Sequence, residues 1–211
     1  YPLPPYSTVK GMLHMVLEAD SLIPMKISIQ GKYDTLVTDY QTHYFFKNDK
    51  TSEFALTTDG LGVQRELNDV TTMPIYMHML YDVNLLIHVQ AADDVLKQLE
   101  QKLTSATTHL SLGRWEDLVR LDQCELVKLT ECDEEPTLSY NAYVPIEYIN
   151  QENHFPYKLN WTYRIVNGVR VWDKIHVGYV QEGVALGEFD DLLIDSYGDV
   201  VLFPGNKLGE A

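Results

Sequence analysis

From Ile75 to Val89 the chain alternates almost without a break: Ile75, Met77, Met79, Tyr81, Val83, Leu85, Ile87 and Val89 share one parity. In extended backbone alternate side chains point to one face, so this run defines one apolar side of a β-ribbon. It is much longer than the usual strand of about 5–6 residues, which predicts a bent or two-part ribbon. Other strand signals surround it. Met25 to Gln30 alternates, Gln41 to Lys47 (with Tyr44, Phe45 and Phe46) makes a second strand, and Tyr140 to Val144 is a short one. Tyr157 to Val166 and Val169 to Val177 flank Asn167-Gly168, the strongest local signal for a hairpin with a type I′ turn. Asn48 to Thr72 is polar, holds Asp59-Gly60 and Gly62, and reads as a long excursion.

Two segments carry helical spacing instead. After the proline-rich Tyr1 to Tyr6, Ser7 is a good N-cap, and Val9, Met12, Leu13, Val16 and Leu17 form one apolar face of a helix over 8–19. Gly11 inside it costs about 1 kcal/mol relative to alanine, which implies a close approach to the backbone there. A second helix over 94–106, capped by Asp93 or Asp94, turns Val95, Leu96, Leu99, Leu103 and Ala106 inward. A strand, Cys124 to Leu129, follows. Helix, strands, helix, strand is the order of a ferredoxin-like βαββαβ unit without its first strand. The chain opens at Tyr1 on a helix start, so further sequence upstream is expected.

The chain has 211 residues, 45% of them apolar, enough for a core and against wholesale disorder. No apolar run approaches the ~18–20 residues that cross a bilayer, and no basic-then-apolar opening marks a secretory signal. Cys124 and Cys132 alone allow neither a disulfide framework nor a four-cysteine zinc site. The profile is that of an acidic cytoplasmic protein of one large or two small domains. Its 31 acids and 16 bases give a formal charge of −15, which disfavours gripping nucleic acid through net charge. The charge is uneven, however. Residues 1–50 are neutral, with five acids and five bases, and an anionic ligand is least repelled there. Glu131-Cys132-Asp133-Glu134-Glu135-Pro136, the sharpest acidic cluster, reads as a solvated loop.

Catalytic patterns are sparse. His14 and Glu18 lie four apart without an HExxH motif, and His78 and His88 share a parity but lie ten apart. Hydrogen-bonded histidines account for these better than metal ligands do. Nothing in the spacing of the cysteines marks a nucleophile, and no GxSxG, GxxxxGK[ST] or GxGxxG is present. Asn160-Trp161-Thr162 matches a glycosylation sequon by chance. Tyr6, Lys10 and His14 are candidates for a metal-independent acid–base nuclease, though no spacing singles them out.

Two segments stand out. At Pro4-Pro5-Tyr6-Ser7-Thr8-Val9-Lys10-Gly11, a rigid entry leads to a helix N-terminus with hydroxyls and a base, which is either an anion site or an ordinary capped core helix. In Leu112-Gly113-Arg114-Trp115-Glu116-Asp117, Gly113 permits close approach, Arg114 can fork onto phosphate and Trp115 offers a stacking face. The alternative is a turn in which Trp115 packs inward and Arg114 pairs with Glu116 or Asp117.

PPYSTVKGMLH, MKISIQGKY, HMLYDVNLLIHV and LSLGRWEDL, in that order, resemble the CRISPR-associated protein 5 family, in particular its type I-B (Tneap/Hmari-like) branch in the RAMP superfamily. The resemblance covers about residues 1–130. It implies an α+β fold with a ferredoxin-like, RRM-type palm over 1–130, apparently lacking its first strand, a β-hairpin thumb at about 31–74, and a β-rich C-terminal region over 131–211. It also implies a non-catalytic subunit of the Cascade surveillance complex, with no cofactor. Such a subunit holds the 5′ handle of the CRISPR RNA and sits beside the family 7 backbone subunit and the family 8 large subunit. By position, Ser7, Thr8, Lys10, Gly11, Gly113, Arg114 and Trp115 become handle contacts, and Lys32, Lys47, Lys50 and Arg65 the basic residues of the thumb. An endoribonuclease that processes precursor CRISPR RNA and a purely structural interaction domain are the rival readings.

Overall fold

A computed structural model of the chain describes residues 1–47, 69–132, 134–149, 154–187, 189 and 191–204. Its elements in chain order are α1 (Tyr6–Leu17), β1 (Lys26–Lys32), β2 (Thr35–Lys47), β3 (Asp69–Tyr81), β4 (Asn84–Gln90), α2 (Asp93–Thr104), β5 (Leu110–Ser111), β6 (Leu118–Val119), β7 (Thr130–Glu131), β8 (Asn141–Pro145), β9 (Phe155–Val166), β10 (Val169–Val180), β11 (Leu193–Ile194) and β12 (Val200–Val201). The architecture is α+β with antiparallel sheets. Residues 1–32, 84–161 and 174–211 form one compact unit; residues 33–83 and 162–173 form another.

In the first unit the sheet runs β4-β1-β8-β10-β9. β1 lies antiparallel to both β4 and β8, and β8 lies antiparallel to β10. The alternation of β1 separates two cores. Ile27 and Ile29 are fully buried with Tyr6, Val9 and Leu13 of α1, Leu99 of α2, and Tyr143 of β8. Ala142, Val144 and Val180 face the other way, packed with Leu186, Leu192, Val200 and Leu202. A small sheet, β12-β11-β7, contributes to this second layer.

On β1, Ser28 and Gln30 are also buried, and buried polar groups need partners. Ser28 Oγ accepts the Leu202 N–H at 3.1 Å, and Gln30 Nε2 donates to the Val200 carbonyl. His88, paired with Ser28 across β4, places Nε2 3.1 Å from Asp195 Oδ2. Burial alone would raise the Asp195 carboxyl, but hydrogen bonds from His88 and from the Asp199 and Tyr197 N–H groups hold it below its ordinary value.

The second unit holds the β2–β3 ribbon, in register from Thr35↔Tyr81 to Lys47↔Asp69, and the end of the β9–β10 hairpin. Asn167 and Gly168 have φ of 51° and 76°, the pair of positive values a type I′ turn requires.

Several expectations are met and others corrected. The long alternating run is indeed two strands, β3 and β4, broken at Asp82, whose φ is 51°. Ser7 is not the N-cap. Pro5 holds that position with no side-chain cap, because its carbonyl already accepts the Thr8 and Val9 N–H groups. The second helix likewise begins at Asp93, with Asp93 and Asp94 in its first turn, where carboxylates suit the positive end of the helix dipole. Cys124 to Leu129 is not a strand, since it finds no ladder partner among the described residues. The acidic cluster is not all loop: Glu131 pairs with Leu193 in β7–β11, while Asp133 lies outside the described residues. β8 and β10, which follow residue 130, share a sheet with β1. No helix among the described residues is long and apolar enough to cross a membrane.

If Ser28 anchors the second layer, Ser28→Ala strands the buried Leu202 N–H and should cost about 1–3 kcal/mol, read as a lower urea midpoint. An unchanged midpoint would mean that water or another acceptor replaces the hydroxyl.

Candidate functional site

The Pro4–Pro5 entry leads straight into α1, and helical spacing then sorts its residues. Tyr6 is fully buried, its hydroxyl has no partner, and burial with Tyr143 and Glu147 nearby pushes its pKa well up. One turn later Lys10 is also turned inward, with Nζ 3.2 Å from the centre of the Trp161 ring and the residue 6% exposed. Burial lowers the Lys10 ammonium to about 8. The ring face opposes that shift by favouring the charged form. Lys10 is therefore a core residue in this geometry, not a surface contact. His14 is fully engaged by backbone: Nδ1–H donates to the Lys10 carbonyl at 2.8 Å, which leaves Nε2 to accept the Ile23 N–H at 2.9 Å. Ser7 and Thr8 are half-buried and Gly11 is exposed. A side chain at Gly11 would meet nothing within 4 Å, so no neighbouring segment requires the glycine.

The glycine loop closes the β5–β6 hairpin. The Leu112 N–H bonds the Asp117 carbonyl at 3.0 Å, and Gly113 takes a φ of +113°, where a side chain would be strained. Arg114 folds back on its own loop. Its Nε and backbone N–H reach Asp117 Oδ2 at 3.0 and 3.1 Å, Nη2 reaches Oδ1 at 2.7 Å, and Nη1 lies 3.2 Å from Glu116 Oε1. The side-chain bond from Arg114 outweighs burial and holds the Asp117 carboxyl below its usual range. Trp115 is pushed outward, 85% exposed. Arg114 is thus paired locally, while Trp115 presents a bare ring. Ser7, Thr8 and Gly11 make no hydrogen bond or ring contact with this loop among the described residues.

The basic residues assigned to the thumb scatter. Lys32 ends β1, paired with Glu182 at 2.5 Å and 5.2 Å from the Tyr140 ring centre. Lys47 ends β2, and Lys50 and Arg65 lie outside the described residues. Sequence reading missed an exposed aromatic pair on the ribbon. Tyr40 and Tyr76 face each other across β2–β3 with ring centres 5.2 Å apart, 62% and 70% exposed. Only the strand register brings them together, and a polar excursion separates the two strands in sequence.

His78 bonds Thr38 Oγ1 at 3.0 Å, and His88 pairs with Asp195. No group of three or more metal-ligating side chains occurs among the described residues. Both cysteines are free, and burial, with Glu100 and Glu125 nearby, raises the Cys124 thiol, which suits an inert group better than a nucleophile.

Two outcomes follow. Between about 8 and the ordinary lysine value of 10.5, the unfolded chain binds the Lys10 proton and the folded chain releases it, so stability should rise with pH across that window. Lys10→Met should flatten the rise without loss of stability at pH 7; a large loss there would show that the Trp161 contact dominates instead. Gly11→Ala should stabilise the helix by up to about 1 kcal/mol, read as a higher thermal midpoint, since nothing occupies the space.

No curated protein matches the chain. The family model described as CRISPR-associated protein (Cas_Cas5) matches residues 1–178 and so spans α1, both ribbon strands, the glycine loop and most of the β9–β10 hairpin. The chain therefore belongs to the CRISPR-associated Cas5 family, a family of CRISPR defence proteins.

Proposed function

We propose that this chain is the non-catalytic Cascade subunit that holds the 5′ handle of the CRISPR RNA in the cytoplasm. In this reading it caps the backbone beside the family 7 and family 8 subunits, in the manner of the type I-B branch. α1, β1, β4 and α2 act as a ferredoxin-like palm, and the β2–β3 ribbon acts as the thumb. The observation that carries the reading is Trp115, bare at the tip of a loop fixed by Gly113 and the Arg114–Asp117 clasp, within a chain that matches the family. A clasped loop offers a stacking face at little ordering cost. Ser7, Thr8 and the open strip at Gly11 supply a second, polar contact, and Lys10 drops out of the set.

RNA-recognition folds of the RRM type use the sheet face opposite the helices. Here Leu186, Leu192, Val200 and Leu202 pack on that face, so the proposed contacts lie at loops and ribbons. Against the endoribonuclease reading stands the condition of its candidate groups: Tyr6 and Lys10 are buried, and both nitrogens of His14 are engaged.

The test is retention of handle-bearing RNA against a scrambled handle, by the chain alone and with its partner subunits. Handle preference supports the reading, and none in either mixture ends it. Trp115→Ala should then weaken binding by about 1–3 kcal/mol, or roughly 5- to 150-fold. Incubation of precursor RNA with the chain and EDTA separates the rival, since a discrete product would mark a metal-independent nuclease.

A further inference from the structure

The chain's cations are few, and most of those described are committed internally. Arg114 is clasped to Asp117, Arg120 to Asp122 and Lys32 to Glu182, while Lys10 is buried on Trp161. The β9–β10 hairpin differs in its local charge. Residues 154–180 hold four bases (Lys158, Arg164, Arg170 and Lys174) and one acid, Asp173, a local charge of +3 in a chain of −15.

At the end of that hairpin the bases meet aromatic rings. The Arg170 guanidinium lies 4.9 Å from the centre of the Tyr163 ring, and Tyr163 lies 5.2 Å from Trp172. Arg170 forms no ion pair among the described residues, and its buried Nε has no hydrogen-bond partner. Tyr163 is 43% exposed. Arg164 has a side chain 67% exposed and only a long 3.6 Å contact with Asp173, which Thr162 also reaches at 3.4 Å. The type I′ turn holds the two strands at a fixed pairing, so the stack is ordered before any ligand arrives.

We propose that this hairpin end is a further site for single-stranded RNA, in which Tyr163 and Trp172 take base or sugar faces and Arg164 and Arg170 take phosphates. The proposal rests on the RNA-binding reading above and adds a contact region distinct from the glycine loop and the α1 entry. Single-stranded RNA fits the chemistry better than a protein surface does. Aromatic faces beside Arg170, which has no ion pair among the described residues, and the largely exposed Arg164 match stacked bases and phosphates, and the hairpin departs from the sign of the whole chain in the direction a polyanion requires.

The experiment is fluorescence anisotropy of a labelled, handle-bearing single-stranded RNA with the full chain, titrated at several salt concentrations, and of a duplex of the same sequence. Tyr163→Ala and Arg170→Ala should each weaken single-strand binding about tenfold, and Arg170→Ala should also reduce the slope of log affinity against log salt by about 0.7. Tyr163→Phe keeps the ring and should bind as the wild type does. Equal thermal midpoints for the Arg170→Gln and parent chains keep a binding loss from being a folding loss. If the wild type binds the RNA and all four variants bind it equally, this inference fails and the handle reading stands. Variants that keep RNA but lose a partner subunit overturn it in favour of a protein contact. A wild type that retains no RNA, alone or with partners, overturns both.

Discussion

A strand buried on both faces must satisfy two different surroundings with one alternating sequence, and β1 sets that condition for the first unit. Ile27 and Ile29 have only to be apolar and to fit beneath the helices. Ser28 and Gln30 carry polar groups into the other layer, where each needs a partner, and the backbone around β12 provides it. Apolar packing alone tolerates sliding between layers, whereas a hydrogen bond to one named backbone group does not. His88 and Asp195 repeat the device one strand away. The polar residues of β1 and β4 thus fix where the second layer sits, and so fix which surfaces of the unit stay open.

That closure bears on how an acidic protein meets an anion. With that sheet face covered, the proposed RNA contacts fall to edges and loops, where cations are few. Some stiffen loops, as Arg114 does, and one, Lys10, supports an aromatic core. Exposed rings are present as well: Trp115, the Tyr40–Tyr76 pair and Tyr163. Stacking depends little on net charge, so a carboxylate-rich chain can still offer contacts to bases wherever local repulsion is low.

Much of this was legible in the sequence, for physical reasons that differ by element. The break between β3 and β4 could be read because fifteen residues of alternation exceed what one strand sustains, and the Asn167–Gly168 turn because positive φ at two adjacent positions leaves few residue choices. Cys124 to Leu129 misled because β-propensity reports how well side chains fit a pleated, half-buried surface and says nothing of whether a partner strand arrives. Ser7 misled because a good capping residue loses to a proline that already fixes the entry. The site was half legible. Arg114 beside two carboxylates left the pairing open, and only geometry decides it. Lys10 carried no sign of burial, since a cation on an apolar helix face is invisible until Trp161, far along the chain, is placed over it.

Leu202 and Ser28, joined by one hydrogen bond, are 174 residues apart in sequence. Contacts of such separation form late, because the loop-closure entropy is lost before the contact repays it. On a translating ribosome the helices, β1 and β4 emerge well before the segment that seals their far side. Until that segment arrives, a half-made sheet with Ser28, Gln30 and His88 open to water is what the cell holds, and its protection in that interval falls to chaperones or to early assembly.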